Sequence, residues 1–182
     1  MATTFRLIPY LREDLLRGLS LEGNTSVSGG WRLWIKVLSP RFAPVLLCRM
    51  AHSFHRRGWG AVSKALSMLN FVIFGIEIAA RCEIGPGLYF PHTQGTVIGA
   101  WSIGKNAVIY QGATLGAKEL DLAYSEASRP KLDDNVTIGA GAKVLGGVHL
   151  GRGARVGANA VVIISVPEGA LAVGVPAKVS TT

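Results

Sequence analysis

His92 is the residue whose type and setting point most directly to chemistry. It stands in the segment PHTQGTVIG, 15 residues after Glu77. An imidazole with its ordinary pKa near 6.5 is largely neutral around pH 7, and as a general base it contributes roughly 10² to 10⁴ in rate. A carboxylate on the other ring nitrogen fixes the tautomer and stabilises the imidazolium that forms, and Glu77 is the candidate for that role. A lone histidine on an apolar segment is ordinarily structural, so the elements that carry it must decide the matter. The other histidines, His52, His55 and His149, and the two cysteines, Cys48 and Cys82, show no metal-ligand spacing. That argues against a zinc site, a zinc-hydration activity and a disulfide framework, and it fits a reducing cytoplasm.

The elements follow from a six-residue rhythm. From Leu132 an aliphatic residue falls on every sixth position, through Ile138, Val144, Leu150, Val156 and Val162. The same period runs through Ile78, Ile84 and Phe90, and through Ile103, Ile109 and Leu115. Small or turn-prone residues usually follow the large ones. A coil of three short strands and three sharp corners produces both features, because one large side chain per strand points inward while corners need permissive residues. Three hexads make an 18-residue turn, and residues 78 to 167 would stack into a prism roughly 20 to 25 Å tall. Glu77 and His92, separated by nearly one turn, are expected to face each other on adjacent turns.

The rhythm breaks twice, across PHTQGTVIGAWS and from Ala117 to Arg129. Breaks are where a solenoid extrudes loops, and loops on a rigid scaffold commonly hold the chemistry. His92 lies in the first break, which favours a catalytic over a structural role. A lone rod offers no deep pocket, so a site of this type is most easily completed between neighbouring rods.

Composition divides the 182 residues near position 75. Residues 1–74 carry apolar residues at helical spacing, as in LREDLLRGL, APVLLCRMAHSFHRR and AVSKALSMLNFVIF, and are expected to form a helical region serving oligomerisation or lying near a membrane. Residues 75–179 are expected to be the β-solenoid. The stretch from Ala65 to Ala80 is too short and too interrupted to span a bilayer, and the N-terminus lacks the uninterrupted apolar core of a signal peptide. Trp31, Trp34, Arg41, Arg49, Arg56 and Arg57 offer an amphipathic surface for a peripheral contact with the inner membrane face, although packing on another subunit explains them more simply. The net charge of +8 favours anionic partners. No nucleic-acid motif accompanies that charge, and the aromatics are not interleaved with a basic stripe.

From about Ile76 to Lys178 the sequence resembles the serine acetyltransferase group of the hexapeptide-repeat acyltransferases. The resemblance rests on IEIAARCEIGPGLYFPHTQGTVIG, IYQGATLG, RPKLDDNVTIGAGAKVLGGVHLG and GVPAK, while the helical half is more similar to the shorter members found in exopolysaccharide pathways. It implies a mainly β fold, a left-handed parallel β-helix with an N-terminal α-helical region, assembled as a homotrimer or a multiple of it. It implies acetyl-CoA as acetyl donor, lying between adjacent prisms, with no metal. His92 then matches the catalytic histidine and Glu77 the acidic residue that orients it. Arg129 and Lys131 match the acceptor-side pair after the loop, and Gly116, Ala117, Ala140, Ala158 and Lys178 match residues along the CoA path. Lys143, Arg152 and Arg155 offer further charges for CoA phosphates.

Two departures bear on the acceptor. The family has an aspartate before the catalytic histidine, where this chain has Pro91, and a second histidine between the Arg and the Pro, where Arg129 runs directly into Pro130. These missing groups help hold an amino-acid acceptor, so a small-molecule or glycan acceptor presenting a sugar hydroxyl is the first expectation. Serine O-acetylation is the alternative. A non-catalytic scaffold or membrane-interface protein is the alternative of another class.

Overall fold

The computed structural model describes residues 6–23 and 39–181. Among the described residues three helices precede the strands: α1 (Leu7–Leu21), α2 (Ala43–Arg56) and α3 (Gly60–Phe74). Trp31 and Trp34, invoked above for a membrane-facing surface, lie outside the described residues. Helix α3 stops at Gly75, whose left-handed φ of 62° turns the chain directly into the first strand. A side chain there would also meet the end of the Gln94 side chain, which would have to move aside.

Thirteen short strands then wind through five coils. They are β1 (Ile76–Ile78), β2 (Glu83–Ile84), β3 (Thr96–Ile98), β4 (Ser102–Ile103), β5 (Val108–Ile109), β6 (Thr114–Gly116), β7 (Lys131–Leu132), β8 (Thr137–Ile138), β9 (Lys143–Leu145), β10 (His149–Leu150), β11 (Arg155–Val156), β12 (Val161–Val162) and β13 (Leu171–Val173). A last strand, β14 (Lys178–Ser180), folds back antiparallel on β13. The others stack in parallel on three faces: β1-β3-β6-β9-β12, β2-β4-β7-β10, and β5-β8-β11-β13. The result is a left-handed parallel β-helix with N-terminal helices.

The hexad residues fill the interior. Leu132, Ile138, Val144, Leu150, Val156 and Val162 are all at most 3% exposed, and Ile98, Ile103, Ile109 and Leu115 join the same core. Burying each such side chain contributes roughly 1.5 to 3 kcal/mol. The first break does not disturb this core. Ile78 pairs with Ile98, and Ile98 with Leu115, so the inward register survives steps of unequal length. Two extra residues are absorbed at the corner after Phe90, because Tyr89 to Val97 takes eight steps where the equivalent Val108 to Thr114 takes six. His92 sits in that lengthened corner. The second break extrudes residues 117–130 between β6 and β7.

A buried ion pair joins the helices to the first coil. Arg49 of α2 reaches Asp14 of α1 through Nε and Nη2, both at 3.0 Å, and donates to the carbonyls of Ile84 and Gly85. Asp14 Oδ1 also accepts the backbone N–H groups of Gly87 and Leu88 at 2.8 and 2.9 Å. Every polar atom of this cluster is matched, which is the condition for a buried charge pair to be tolerated.

His52, also on α2, is buried and donates from Nδ1 to the Ala80 carbonyl at 2.9 Å. Burial disfavours the imidazolium and lowers its pKa against the opposing pull of that carbonyl. A pKa lower in the folded than in the unfolded state means that stability is complete above the unfolded value and is lost as pH falls through about 6.5 toward the folded value. Chemical unfolding at a series of pH values should therefore show a decline below pH ~6.5 that is shallower in His52→Asn. Identical slopes for the two proteins would remove His52 as the cause.

Candidate active site

The lengthened corner puts His92 on the surface, exposed, at the edge between the third and first faces. Its neighbours are pinned. Thr93 Oγ1 donates to the Phe74 carbonyl at 2.8 Å, and the Gly95 N–H donates to the Gly75 carbonyl at 2.9 Å. The loop bearing the imidazole is thus fixed to the end of α3 on one side and to the next coil on the other, where Gln94 accepts the Gly112 N–H.

The same edge continues as a column of tight corners. The Gly141 N–H donates to Gln111 O and the Asn159 N–H to Ala140 O, at 2.9 and 2.8 Å. Ala140 and Ala158 therefore stack, as their 18-residue spacing predicts, on the edge that carries His92. Gln111 Oε1, in this column, is buried with no hydrogen-bond partner among the described residues. The column ends where the Val161 N–H donates to Gly174 O and the Ala177 N–H to Val161 O, which places Lys178 beside the last turn.

Glu77 projects outward from β1 on the first face and pairs in register with Val97. It lies at the start of the coil whose closing corner carries His92, and that corner stacks on the residues just before Glu77, through Thr93 to Phe74 and Gly95 to Gly75. No hydrogen bond joins the Glu77 and His92 side chains among the described residues. Gly116 and Ala117 lie at the opposite edge of this face, where the 117–130 loop departs and the Gly146 N–H donates to Gly116 O. The first face is therefore bordered by His92, Ala140 and Ala158 on one edge and by Gly116 and Ala117 on the other. Lys143, on its outward row, is already occupied: Nζ donates to Gly112 O and Thr114 Oγ1.

Arg129 and Lys131 are not gathered at His92. Lys131 belongs to the second face, in register between Ser102 and His149, and pairs with Glu126 at 2.5 Å. Arg129 locks the extruded loop. It bonds Asp121 Oδ2 through Nε at 2.8 Å, Asp121 O through Nη2 and Gly99 O through Nη1, and its guanidinium lies 3.9 Å from the Tyr124 ring centre. Tyr124 in turn donates to Ala100 O at 2.6 Å. Burial works against ionisation of Asp121, but the Ser125 N–H and Arg129 hold its carboxyl below the ordinary carboxylate range. This clamp of Asp121, Tyr124 and Arg129 was missed from sequence, because its partners lie eight and five residues from Arg129 in an aperiodic segment. Arg129→Ala should free the loop and raise its proteolysis rate at least about tenfold, read by limited digestion, with little change in melting temperature. An unchanged cleavage rate would show that the loop holds itself without the guanidinium.

Comparison with known proteins agrees with this geometry. Residues 129–163 match the model for the bacterial transferase hexapeptide (six repeats). Over 162 residues the chain is 41% identical to serine acetyltransferase of Helicobacter pylori (strain J99 / ATCC 700824), covering 88% of this chain and 92% of that one. The chain belongs to the serine acetyltransferase-like hexapeptide-repeat acyltransferases. Among solved structures, a serine acetyltransferase in complex with CoA superposes with a TM-score of 0.81 at 30% identity, covering 96% of this chain and 69% of that one. The Neisseria gonorrhoeae serine acetyltransferase in complex with serine gives 0.79 at 28% identity, covering 94% and 68%. This acyltransferase thus shares its architecture with relatives well beyond the repeat segment. Among its described residues no group of three or more His, Cys, Asp or Glu side chains is arranged to hold a metal ion, and no helix is long and apolar enough to cross a membrane.

Proposed function

We propose that this acyltransferase moves the acetyl group of acetyl-CoA to the side-chain hydroxyl of serine, with His92 as general base. The observation that carries the reading is the pinned, exposed imidazole at the head of the column leading through Gln111, Ala140 and Ala158. Small side chains there let an extended pantetheine arm approach the backbone, and the unpartnered Gln111 Oε1 is an acceptor for an amide N–H. Gly116 and Ala117 leave the opposite edge of the face open, and Lys178 stands at the far end of the column as a point charge for phosphate. Relatives solved with CoA and with serine support donor and acceptor.

The chemistry assigns a role to each group. Neutral His92 takes the hydroxyl proton as the oxygen attacks the thioester carbonyl, and the imidazolium returns that proton to the departing CoA thiolate. Glu77 supplies negative charge on the same face to favour the imidazolium. Arg129 serves the acceptor side by shaping the loop, and Lys131, on the second face and paired with Glu126, serves it only across a seam with a neighbouring prism. The working form is a homotrimer or a multiple of it, in which a neighbouring prism closes the groove, and the compartment is cytoplasmic.

Replacing the first-expected sugar acceptor by serine follows the relatives, which are serine acetyltransferases. A sugar acceptor remains the second reading on two observations: Pro91 precedes His92, and the Arg129 guanidinium is spent on Asp121 and the Gly99 carbonyl. Thiol release from acetyl-CoA, measured against serine, other amino alcohols and nucleotide sugars, separates them. Serine should give the highest kcat/KM. Release with a nucleotide sugar alone establishes the second reading, and no release with any acceptor ends both.

A further inference from the structure

Among the described outward residues of the first face, Lys143 is the one cation and Glu77 the one anion. The Lys143 side chain runs back across the neighbouring strand, where Nζ donates to Gly112 O at 2.6 Å and to Thr114 Oγ1 at 3.1 Å. Both acceptors are neutral, and an ammonium has three N–H donors, so one is unspent. No carboxylate pairs with Lys143 among the described residues. Glu77 stands two strands from Thr114, roughly 10 Å at the usual strand spacing, too far to be the counter-ion. The half-buried ammonium is therefore held by the fold with no negative partner. Stacking of the coils does not explain it, because the carbonyls of Gly95, Gly141 and Asn159, at the same position in other coils, receive no side-chain donor among the described residues. What distinguishes the Gly112 corner is its place. Its N–H donates to Gln94 O, two residues after His92, so it lies directly below the corner bearing the imidazole and above Ala140 and Ala158.

We infer that Lys143 is a second catalytic residue, which donates its unspent N–H to the sulfur of acetyl-CoA as the thiolate departs. The inference rests on His92 as the base and on the column of corners as the path of CoA. An arm that passes Ala158 and Ala140 brings its sulfur to the level of Gln111 and Gly112, where the ammonium stands, and carries the acetyl group on toward His92. As the acceptor oxygen bonds to the acetyl carbon, the hydroxyl proton passes to His92. The carbon–sulfur bond then breaks and its electron pair goes to sulfur. Lys143 keeps its own protons and stabilises that charge until the imidazolium returns the hydroxyl proton to the thiolate. A cation already fixed in place needs no reorganisation at the moment the charge develops, and Lys143 is fixed by Gly112 O and Thr114 Oγ1.

The ultraviolet absorbance of the thiolate of bound CoA tests this on the full-length protein, without any turnover. The measurement belongs at about pH 8.5, where an imidazole of ordinary pKa is neutral and His92 adds no positive charge. Wild type should hold at least about tenfold more of its bound CoA as thiolate than Lys143→Met. S-methyl-CoA, which has no ionisable thiol, should bind the two proteins within a factor of about three, and kcat with acetyl-CoA should fall at least about tenfold in the variant. Equal thiolate fractions overturn the inference. So does a parallel loss of S-methyl-CoA affinity, which would make Lys143 a peg for the Gly112 corner and no more. Absence of thiol release by the wild type with every acceptor would end the acetyl-transfer reading, while the thiolate absorbance still reports on Lys143.

Discussion

His92→Ala is expected to lower the turnover of acetyl transfer at least about a hundredfold while leaving CoA affinity within a factor of about three. Removing a general base removes an interaction made in the transition state, so kcat and kcat/KM fall together. Binding persists because the column through Gln111, Ala140 and Ala158 is set by the strand register of later coils, which the surface imidazole does not touch. The corner also keeps its shape, since its anchors are the Thr93 hydroxyl and the Gly95 N–H. Steady-state rates with matched titration of CoA check both halves. Turnover within a factor of about ten of wild type would take His92 out of the proton-transfer step.

The largest expected effect on stability belongs to Asp14→Ala. It leaves the Arg49 guanidinium, 2% exposed, without its counter-ion, and the N–H groups of Gly87 and Leu88 without their acceptor. Breaking one side of a buried pair costs about 3 to 5 kcal/mol. For a chain of this size that corresponds to roughly 6 to 20 °C in melting temperature. The double change Asp14→Leu with Arg49→Met should recover much of the loss, because no buried charge then remains unmatched. A single variant melting within about 2 °C of wild type would show that water reaches Arg49.

Asp14 grips the backbone at Gly87 and Leu88, just before the lengthened corner, so α1 and α2 fix the entry to the segment bearing His92. We propose that residues 1–74 serve the site in this way as well as any role in assembly, and that residues 75–179 form the acyltransferase unit.

The six-residue rhythm by itself determined the solenoid, its inward side chains and the stacking of Ala140 on Ala158. These are local consequences of one large residue per short strand, and the same rule repeats at every coil. The sequence also marked both breaks, and with them His92. Only the tertiary structure decided what the breaks do. It assigned the two extra residues to the corner after Phe90, which carries His92. It spent Arg129 on Asp121, Gly99 and Tyr124, put Lys131 on another face, and joined Asp14 to Arg49 across 35 residues. Periodicity reports which side chains point inward, but a charged group's partner depends on distances between segments that no repeat relates.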